Sequence, residues 1–165
     1  MGDRRRASEA EASALASGIR LRIIRLTFAE ALTNKEIAQR LDRDPATTLH
    51  HVRKLVDTGF LAPQPPRRGN RGAKEIPYRS TGKSWELDGT GDRALSEAIL
   101  EAYLAEVAEL DRGELDQSRL VIRVDAAVRR EFEHRLAGLL DEFKERSSPE
   151  GAEQFAVYVA VYPSR

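Results

Sequence analysis

Apolar residues recur every three or four positions in the first third of the chain. In residues 15–32, LASGIRLRIIRLTFAEAL, this spacing predicts a first helix with one buried face, formed by Leu15, Ile19, Ile23 and Leu26. Residues 1–12 are charged and lack an apolar run, which argues against a secretory signal. We therefore expect residues 1–12 to be a disordered leader.

Two further short helices follow, each with a recognisable start. Thr33 and Glu36 have the spacing of a capping box and predict a second helix. After the turn DRDP, Asp44 is a good N-cap and Pro45 is tolerated at the first helical position, where no N–H is needed. The third helix is expected to end at Gly59, since glycine commonly follows the last turn of a helix.

The third helix is predicted to have an inner and an outer face. Thr48, Val52, Leu55 and Val56 recur at helical spacing and should face the other two helices. His51 lies on the same side and is expected to pack in the core. The positions that the core does not need are Ala46, Thr47, His50, Arg53 and Lys54.

Residues 60–82 predict a two-stranded hairpin with a basic tip. FLAPQPPRR and IPYRSTG have strand character, their prolines fit edge strands, and the connector RGNRGAKE is rich in glycine and arginine. Three helices and a hairpin form a winged helix-turn-helix, whose third helix enters the major groove while the wing contacts phosphates. We therefore predict that DNA contacts the outer face of the third helix and the hairpin residues Arg67, Arg68, Asn70, Arg71 and Lys74.

The second half of the chain predicts a long helix and then a strand–helix–strand unit. The helix over residues 93–111 carries an apolar stripe, widened by Leu100 and Leu104, that exceeds what a lone surface helix needs. We expect this stripe to form a dimer interface through Leu95, Ile99, Tyr103, Val107 and Leu110. RLVIRV predicts a strand, Asp125 caps a helix, and QFAVYVAVYP predicts a strand with two apolar faces.

These elements predict an α+β fold class with three parts. Residues 1–12 form the leader, residues 13–87 the winged helix-turn-helix DNA-binding domain, and residues 88–165 the dimerisation helix with the strand–helix–strand unit. No run of about 18 apolar residues is present, so no membrane partner is expected and the predicted location is cytoplasmic.

Charge is divided unevenly along the chain, although the net charge is zero. Residues 1–83 contain 17 basic and 9 acidic side chains, whereas residues 84–165 contain 10 basic and 18 acidic ones. A basic half joined to an acidic half suggests a polyanion-binding module fused to a part that stays off the polyanion.

Enzymatic and metal chemistry find little support in the sequence. Cysteine is absent, which excludes disulfides, thiolate metal sites and cysteine nucleophiles. No nucleophile elbow, phosphate-binding glycine loop or His-Glu-x-x-His pattern is present, so neither an enzyme nor a cofactor is predicted. His50 and His51 point about 100° apart on a helix and cannot easily share one ion. We expect His50 to contact DNA and His51 to be structural.

LASGIRLRIIRLT and LTNKEIAQRLDRDPATTLHHVRKLVDTGFL resemble the opening helix and helix-turn-helix core of the ArsR family of bacterial repressors. The resemblance extends over residues 15–87. It implies a homodimeric, effector-responsive transcriptional regulator that binds double-stranded DNA. Metal-sensing members use cysteines or clusters of acidic and histidine residues, whereas this chain has no cysteine and its last histidine, His134, lies alone. The resemblance therefore favours a repressor with a non-metal effector, such as a small molecule.

A protein-interaction module without sequence-specific DNA binding is the alternative. Some winged helices bind proteins, and the acidic tail could compete with DNA for the basic wing. The two hypotheses differ in salt response, because contacts to phosphates weaken steeply as salt rises.

Overall fold

The elements of the structure, a computed structural model, are described for residues 4–69, 72–88, 91–111, 113–146 and 152–164. The chain divides into two units, Arg5–Leu110 and a second that comprises Met1–Arg4 and Asp111–Arg165. Among its described residues, the second unit contains one helix, α6 (Ala126–Glu145). In chain order, the helices of the first unit are α1 (Glu9–Leu15), α2 (Gly18–Ala29), α3 (Asn34–Arg40), α4 (Pro45–Asp57) and α5 (Arg93–Val107). Its strands are β1 (Arg5–Arg6), β2 (Leu32–Thr33), β3 (Leu61–Pro63), β4 (Arg67–Arg68), β5 (Lys74–Glu75), β6 (Pro77–Ser80) and β7 (Leu87–Asp88).

The predicted starts of α3 and α4 are confirmed. The Thr33 N–H donates to Glu36 Oε2 at 2.7 Å, and the Glu36 N–H donates to Thr33 Oγ1 at 3.3 Å. Asp44 Oδ1 accepts the N–H groups of Ala46 and Thr47, both at 2.9 Å. These side chains satisfy backbone donors that have no partner within the helix, so local sequence alone defines where both helices begin.

Gly59 ends α4 in the way that its position predicts. Its φ of 75° lies in the left-handed region that glycine adopts without steric cost. The Gly59 N–H donates to the Val56 carbonyl at 2.9 Å, and the Phe60 N–H donates to the Leu55 carbonyl at 2.8 Å. The chain therefore turns sharply from the helix into the first strand of the hairpin.

The hairpin is confirmed and extends a three-stranded antiparallel sheet in the order β2-β6-β3. Leu61 lies opposite Ser80, and Leu32 lies opposite Tyr78. The sequence did not predict β2, because two residues are too few to show an alternating pattern. Beyond this sheet, β4 and β5 pair separately and form the outer part of the wing.

One apolar core joins the helices to the sheet. Ile23, Ile37, Val52, Leu55 and Phe60 are at most 1% exposed. The predicted inner residues of α4 are buried, apart from Val56, which is half-buried.

The structure contradicts the expectation of a disordered leader, because residues of this segment form β1 and α1. β1 pairs in parallel with β7, with Arg5 opposite Leu87. Ser8 caps α1 through a capping box with Glu11, and Leu15 belongs to α1 rather than to the helix that follows. The high charge of residues 4–12 conceals this helix, because one of its carboxylates is buried and paired.

Glu11 is the buried carboxylate that holds the N-terminal segment in place. Arg5 Nη2 lies 2.6 Å and Lys83 Nζ 2.7 Å from Glu11 Oε1. Hydrogen bonds from Arg5 and then from Lys83 hold the pKa of Glu11 far below its ordinary value. Lys83 Nζ also donates to the Thr58 carbonyl at 2.7 Å, which links the N-terminal segment to the end of α4.

The second unit confirms one predicted element and corrects two. Asp125 Oδ1 caps α6 by accepting the N–H groups of Ala127 and Val128, at 2.8 and 2.9 Å. Residues 119–124 and 152–164 form no strand in the single chain, although a strand–helix–strand unit was predicted. A strand needs a neighbouring strand to pair with, and alternation in the sequence does not provide that neighbour.

None of the helices in the described part of the chain is long and apolar enough to cross a membrane.

Candidate nucleic-acid interface

The two faces of α4 differ in burial as the helical spacing predicts. Thr48, Val52 and Leu55 are fully buried. The predicted outer residues Ala46, Thr47, His50 and Arg53 are exposed, while Lys54 is half-buried. The packing of one face against the core holds the other face rigidly outward, which is how a recognition helix presents side chains to a groove.

The exposed side chains of α4 offer several kinds of polar contact. The Thr47 hydroxyl lies 3.3 Å from Asp44 Oδ1, so it is held by the cap at the start of the helix. His50 has donor and acceptor capacity, and Arg53 presents a fork of N–H groups that fits guanine or phosphate. Among the described residues, no acidic group forms an ion pair with Arg53 or Lys54.

The two adjacent histidines lie in different environments. Their ring centroids are 5.9 Å apart with the rings inclined at 67°. His50 is exposed, whereas His51 is half-buried and its Nδ1 is buried without a hydrogen-bond partner in the described chain. Burial, and then the charge of Arg20, lowers the pKa of His51. His51 is therefore a neutral ring at pH 7 and brings no positive charge to the surface.

The two adjacent arginines of β4 also lie in different environments. Arg67 Nη2 forms an ion pair with Glu36 Oε1 at 2.5 Å. Burial raises the pKa of Glu36, but the hydrogen bonds from Thr33 and the charge of Arg67 outweigh it and hold this pKa below its ordinary value. Glu36 thus stays ionised at neutral pH and ties Arg67 to the start of α3.

Arg68 and Lys74 form the positive face of the wing. They lie directly opposite each other across the β4–β5 pair, and both are exposed. Directly opposed side chains of an antiparallel pair share a face, and like charges there destabilise the pair. Arg67 and Glu75 occupy the other face, where Glu75, Glu36 and Lys35 line a depression beside α3. Arg68 and Lys74 therefore lie together on one face of the wing, and neither forms an ion pair with any other described residue.

The tip of the wing is only partly described. Asn70 and Arg71, both predicted to contact DNA, lie outside the described residues. On either side of them, the Gly69 N–H donates to the Ala73 carbonyl at 2.8 Å, and Gly72 has a φ of 79°.

The predicted dimerisation stripe on α5 divides between two environments. Leu95 is 7% exposed and joins the core of its own chain, so its assignment to a dimer interface is a correction. Tyr103 and Val107 are half-buried. The exposed large apolar residues of this helix and its C-terminal end are Ile99, Leu100, Leu104 and Leu110, each more than 40% exposed.

Two ion pairs connect α2 to α5 and to the residues that follow α5. Arg22 Nη2 lies 2.5 Å from Glu109 Oε1, and Arg25 pairs with Glu106. Burial raises the pKa of Glu106 even though Arg25 is close. Because helical spacing shows only that a stripe is apolar, the sequence could not separate residues that face α2 from residues left exposed.

The described residues contain no cluster of potential metal ligands. Within residues 4–69, 72–88, 91–111, 113–146 and 152–164, no three acidic or histidine side chains come close enough together to hold an ion.

Comparisons with known proteins agree with the helix-turn-helix geometry at the sequence level. The family model of a helix-turn-helix domain matches residues 15–64. No curated protein sequence matches the chain significantly.

Several solved structures are similar to the chain at low identity. Reduced HlyU from Vibrio cholerae is 17% identical, with 56% of this chain and 81% of HlyU covered and a TM-score of 0.36. A ZitR variant from Lactococcus lactis is 17% identical, with 78% and 83% covered and a TM-score of 0.36. A MepR variant from S. aureus bound to an oligodeoxyribonucleotide is 16% identical, with 78% of each chain covered and a TM-score of 0.36.

Proposed function

We propose that this protein is a dimeric transcriptional regulator of the ArsR type that binds double-stranded DNA and represses transcription. The observation that carries the proposal is the amphipathic α4, whose buried face is rigidly packed and whose outer face presents Thr47, His50 and Arg53. The adjacent wing supplies a second contact. Arg68 and Lys74 repel each other across the β4–β5 pair, and an anion such as a phosphate would reduce this repulsion.

Each part of the interface has a separate role in this proposal. The outer face of α4 enters the major groove, where Thr47, His50 and Arg53 contact base edges or phosphates. Arg68 and Lys74 lie along the phosphates beside that groove, and the predicted contacts of Asn70 and Arg71 to DNA belong to the same proposal. Contacts to phosphates position the protein, while contacts to bases provide specificity.

Dimerisation follows from the limited contact area of one recognition helix. The proposed interface is the apolar side of α5 and its C-terminal end, with the exposed Ile99 and Leu110 and the half-buried Tyr103 and Val107, and Leu100 and Leu104 widen it. A two-fold dimer presents two copies of α4 about one turn of DNA apart, roughly 34 Å. Repression is then steric, and a non-metal effector that favours another spacing of the two heads would release the DNA.

The test is selection of bound sequences from a random DNA library with the full-length protein. We expect a pseudo-palindrome whose half-sites are about 10 base pairs apart from centre to centre. A single unrepeated half-site would contradict the dimer. Enrichment of no sequence would contradict sequence-specific binding and favour the protein-interaction alternative.

The selected DNA also tests the two histidines. His50→Ala should weaken binding to the selected site by about 1–3 kcal/mol, the range of a good base contact, and change binding to random DNA far less. His51→Ala should leave the preference for the selected site intact and lower the melting temperature. Affinities from titrations of both DNAs and thermal unfolding curves give the comparison. An equal loss on both DNAs in His50→Ala would remove His50 as a base reader.

A further inference from the structure

The second unit of the chain leaves most of its apolar residues exposed. In residues 120–162, large apolar side chains at 14 described positions are between 39% and 78% exposed, including Leu120, Phe132 and Phe155. Among the described residues of this unit, Ala137 is the one apolar residue that is buried. A segment of this size needs a core or a partner to be stable, and within one chain it has almost no core.

The exposed area is large enough for a stable interface. Aromatic side chains can each bury about 150–250 Å², and 14 large apolar residues at roughly half exposure add up to on the order of 1,000 Å². A stable protein–protein interface buries about 800 Å² on each partner. The apolar surface of this unit therefore matches one full interface.

Two segments of the unit have the pattern of strands without the pairing of strands. Residues 119–124 and 152–164 are rich in valine, isoleucine and aromatic residues, which favour sheets. Phe155, Val157 and Val159 alternate with Tyr158 and other residues, so both faces of a strand here would be apolar. Such a strand is stable only when a second strand pairs with its backbone and its faces are covered.

The charges of the unit argue against a polyanion or a membrane as the partner. Residues 111–165 contain 9 basic and 11 acidic side chains. On α6 these charges pair within the helix, as in Arg129–Glu133, Arg135–Glu131 and Arg146–Glu142. DNA and anionic lipid surfaces require an excess of basic residues on the contacting face. A nearly neutral apolar surface instead suits a copy of itself.

We infer that a second copy of this chain completes the unit, with residues 119–124 and 152–164 of the two copies pairing in one intersubunit sheet covered by α6. Pairing with an identical unit satisfies the backbone of both copies at once and closes by two-fold symmetry. The inference concerns residues outside α5, and it does not rest on DNA binding.

Amide hydrogen exchange of the full-length protein without DNA, measured over a series of protein concentrations, tests this inference. In dilute protein the amides of residues 120–124 and 155–161 should exchange rapidly, and in concentrated protein at least about tenfold more slowly. Slow exchange at every concentration in a protein with the mass of a monomer would mean that the chain covers itself, and rapid exchange at every concentration would mean that nothing covers these segments. Either result overturns the inference.

A matched pair of lysine substitutions separates the apolar face from general effects of charge. Val159→Lys should abolish the concentration-dependent slowing, because it places a charge on the proposed interface. Gln117→Lys introduces the same side chain at an exposed polar position of the same unit, outside the two proposed strands, and should leave the slowing intact. Slowing that persists in Val159→Lys would overturn the inference.

Crosslinking identifies the occupant directly, because the natural chain contains no cysteine. Ala160→Cys, in the proposed strand, should give covalent dimers with a short bismaleimide at concentrations where the amides are protected. Ser13→Cys, on the exposed side of α1, is the control and should give no covalent dimer under the same conditions. A failure of Ala160→Cys to link, with the amides protected, would exclude a second copy as the partner.

Discussion

Replacing Arg68 by alanine should flatten the salt dependence of DNA binding much more than replacing its neighbour Arg67. Each phosphate contact contributes about 0.9 to the slope of log affinity against log salt, so a dimer that loses one contact in each head loses about two units. Arg68 is exposed on the positive face of the wing, opposite Lys74. Arg67 must first leave its ion pair with Glu36 before it can reach a phosphate. Titrations of the selected DNA at several salt concentrations give both slopes.

Glu36→Gln provides the control for this comparison. Glutamine also fits the capping box, so α3 keeps its start while Arg67 loses its charged partner. DNA affinity should therefore rise, and the slope should become steeper as Arg67 becomes available. If Arg67→Ala and Arg68→Ala flatten the slope equally in the natural protein, then the ion pair with Glu36 does not restrain Arg67 on DNA.

The contrast between these arginines lies beyond what a sequence can predict. Arg67 and Arg68 are adjacent and chemically identical, and the hairpin pattern assigned both to DNA. Their difference comes from alternation along β4 and from Glu36, which is 31 residues away along the chain. Pairing over that distance depends on the packed fold, whereas strand character depends on the neighbouring residues alone.

Local signals predicted the helix-turn-helix well because they act within a few residues. The Thr33–Glu36 capping box, the Asp44 cap and Gly59 each define a helix end through hydrogen bonds or backbone conformation nearby. The same kind of signal, Ser8 followed by Glu11, also begins α1. The high charge of residues 1–12 nevertheless predicts a disordered leader, because the burial of Glu11 against Arg5 and Lys83 is a tertiary effect that local sequence does not show.

The sequence predicts that α5 carries an apolar stripe, but it does not predict which residues of that stripe pack within the chain and which stay exposed. Leu95 packs into the core of its own chain, while Ile99 and Leu104 on the same helix are exposed. Helical periodicity predicts that one face of a helix is buried. Which residues of that face pack inside the same chain depends on the position of α2, which the periodicity does not contain. The strands expected at residues 119–124 and 152–164 illustrate the same limit, since pairing needs a neighbour that local sequence does not specify.

Replacing Phe60 by alanine should produce the largest loss of stability among single substitutions in the first unit. Phe60 is 1% exposed, and truncating a buried phenylalanine costs about 3–5 kcal/mol through lost burial and the cavity left behind. The Lys83 ammonium lies 5.2 Å from the centre of its ring, so the substitution also removes a contact of the lysine that binds Glu11 and the end of α4. Chemical denaturation followed by circular dichroism measures the change.

Phe28 is the matched control, since it is the same residue type in the same unit but is 59% exposed. Phe28→Ala should change the free energy of unfolding by no more than about 0.5 kcal/mol, as for most surface substitutions. Phe60 directly follows Gly59 and joins α4 to the first strand of the hairpin, so its loss should also loosen the recognition helix relative to the wing. Phe60→Ala should therefore weaken DNA binding even at temperatures where the protein remains folded. Equal stability losses in the two variants would contradict the assigned core, and unchanged DNA affinity in folded Phe60→Ala would show that α4 and the wing are positioned independently of this contact.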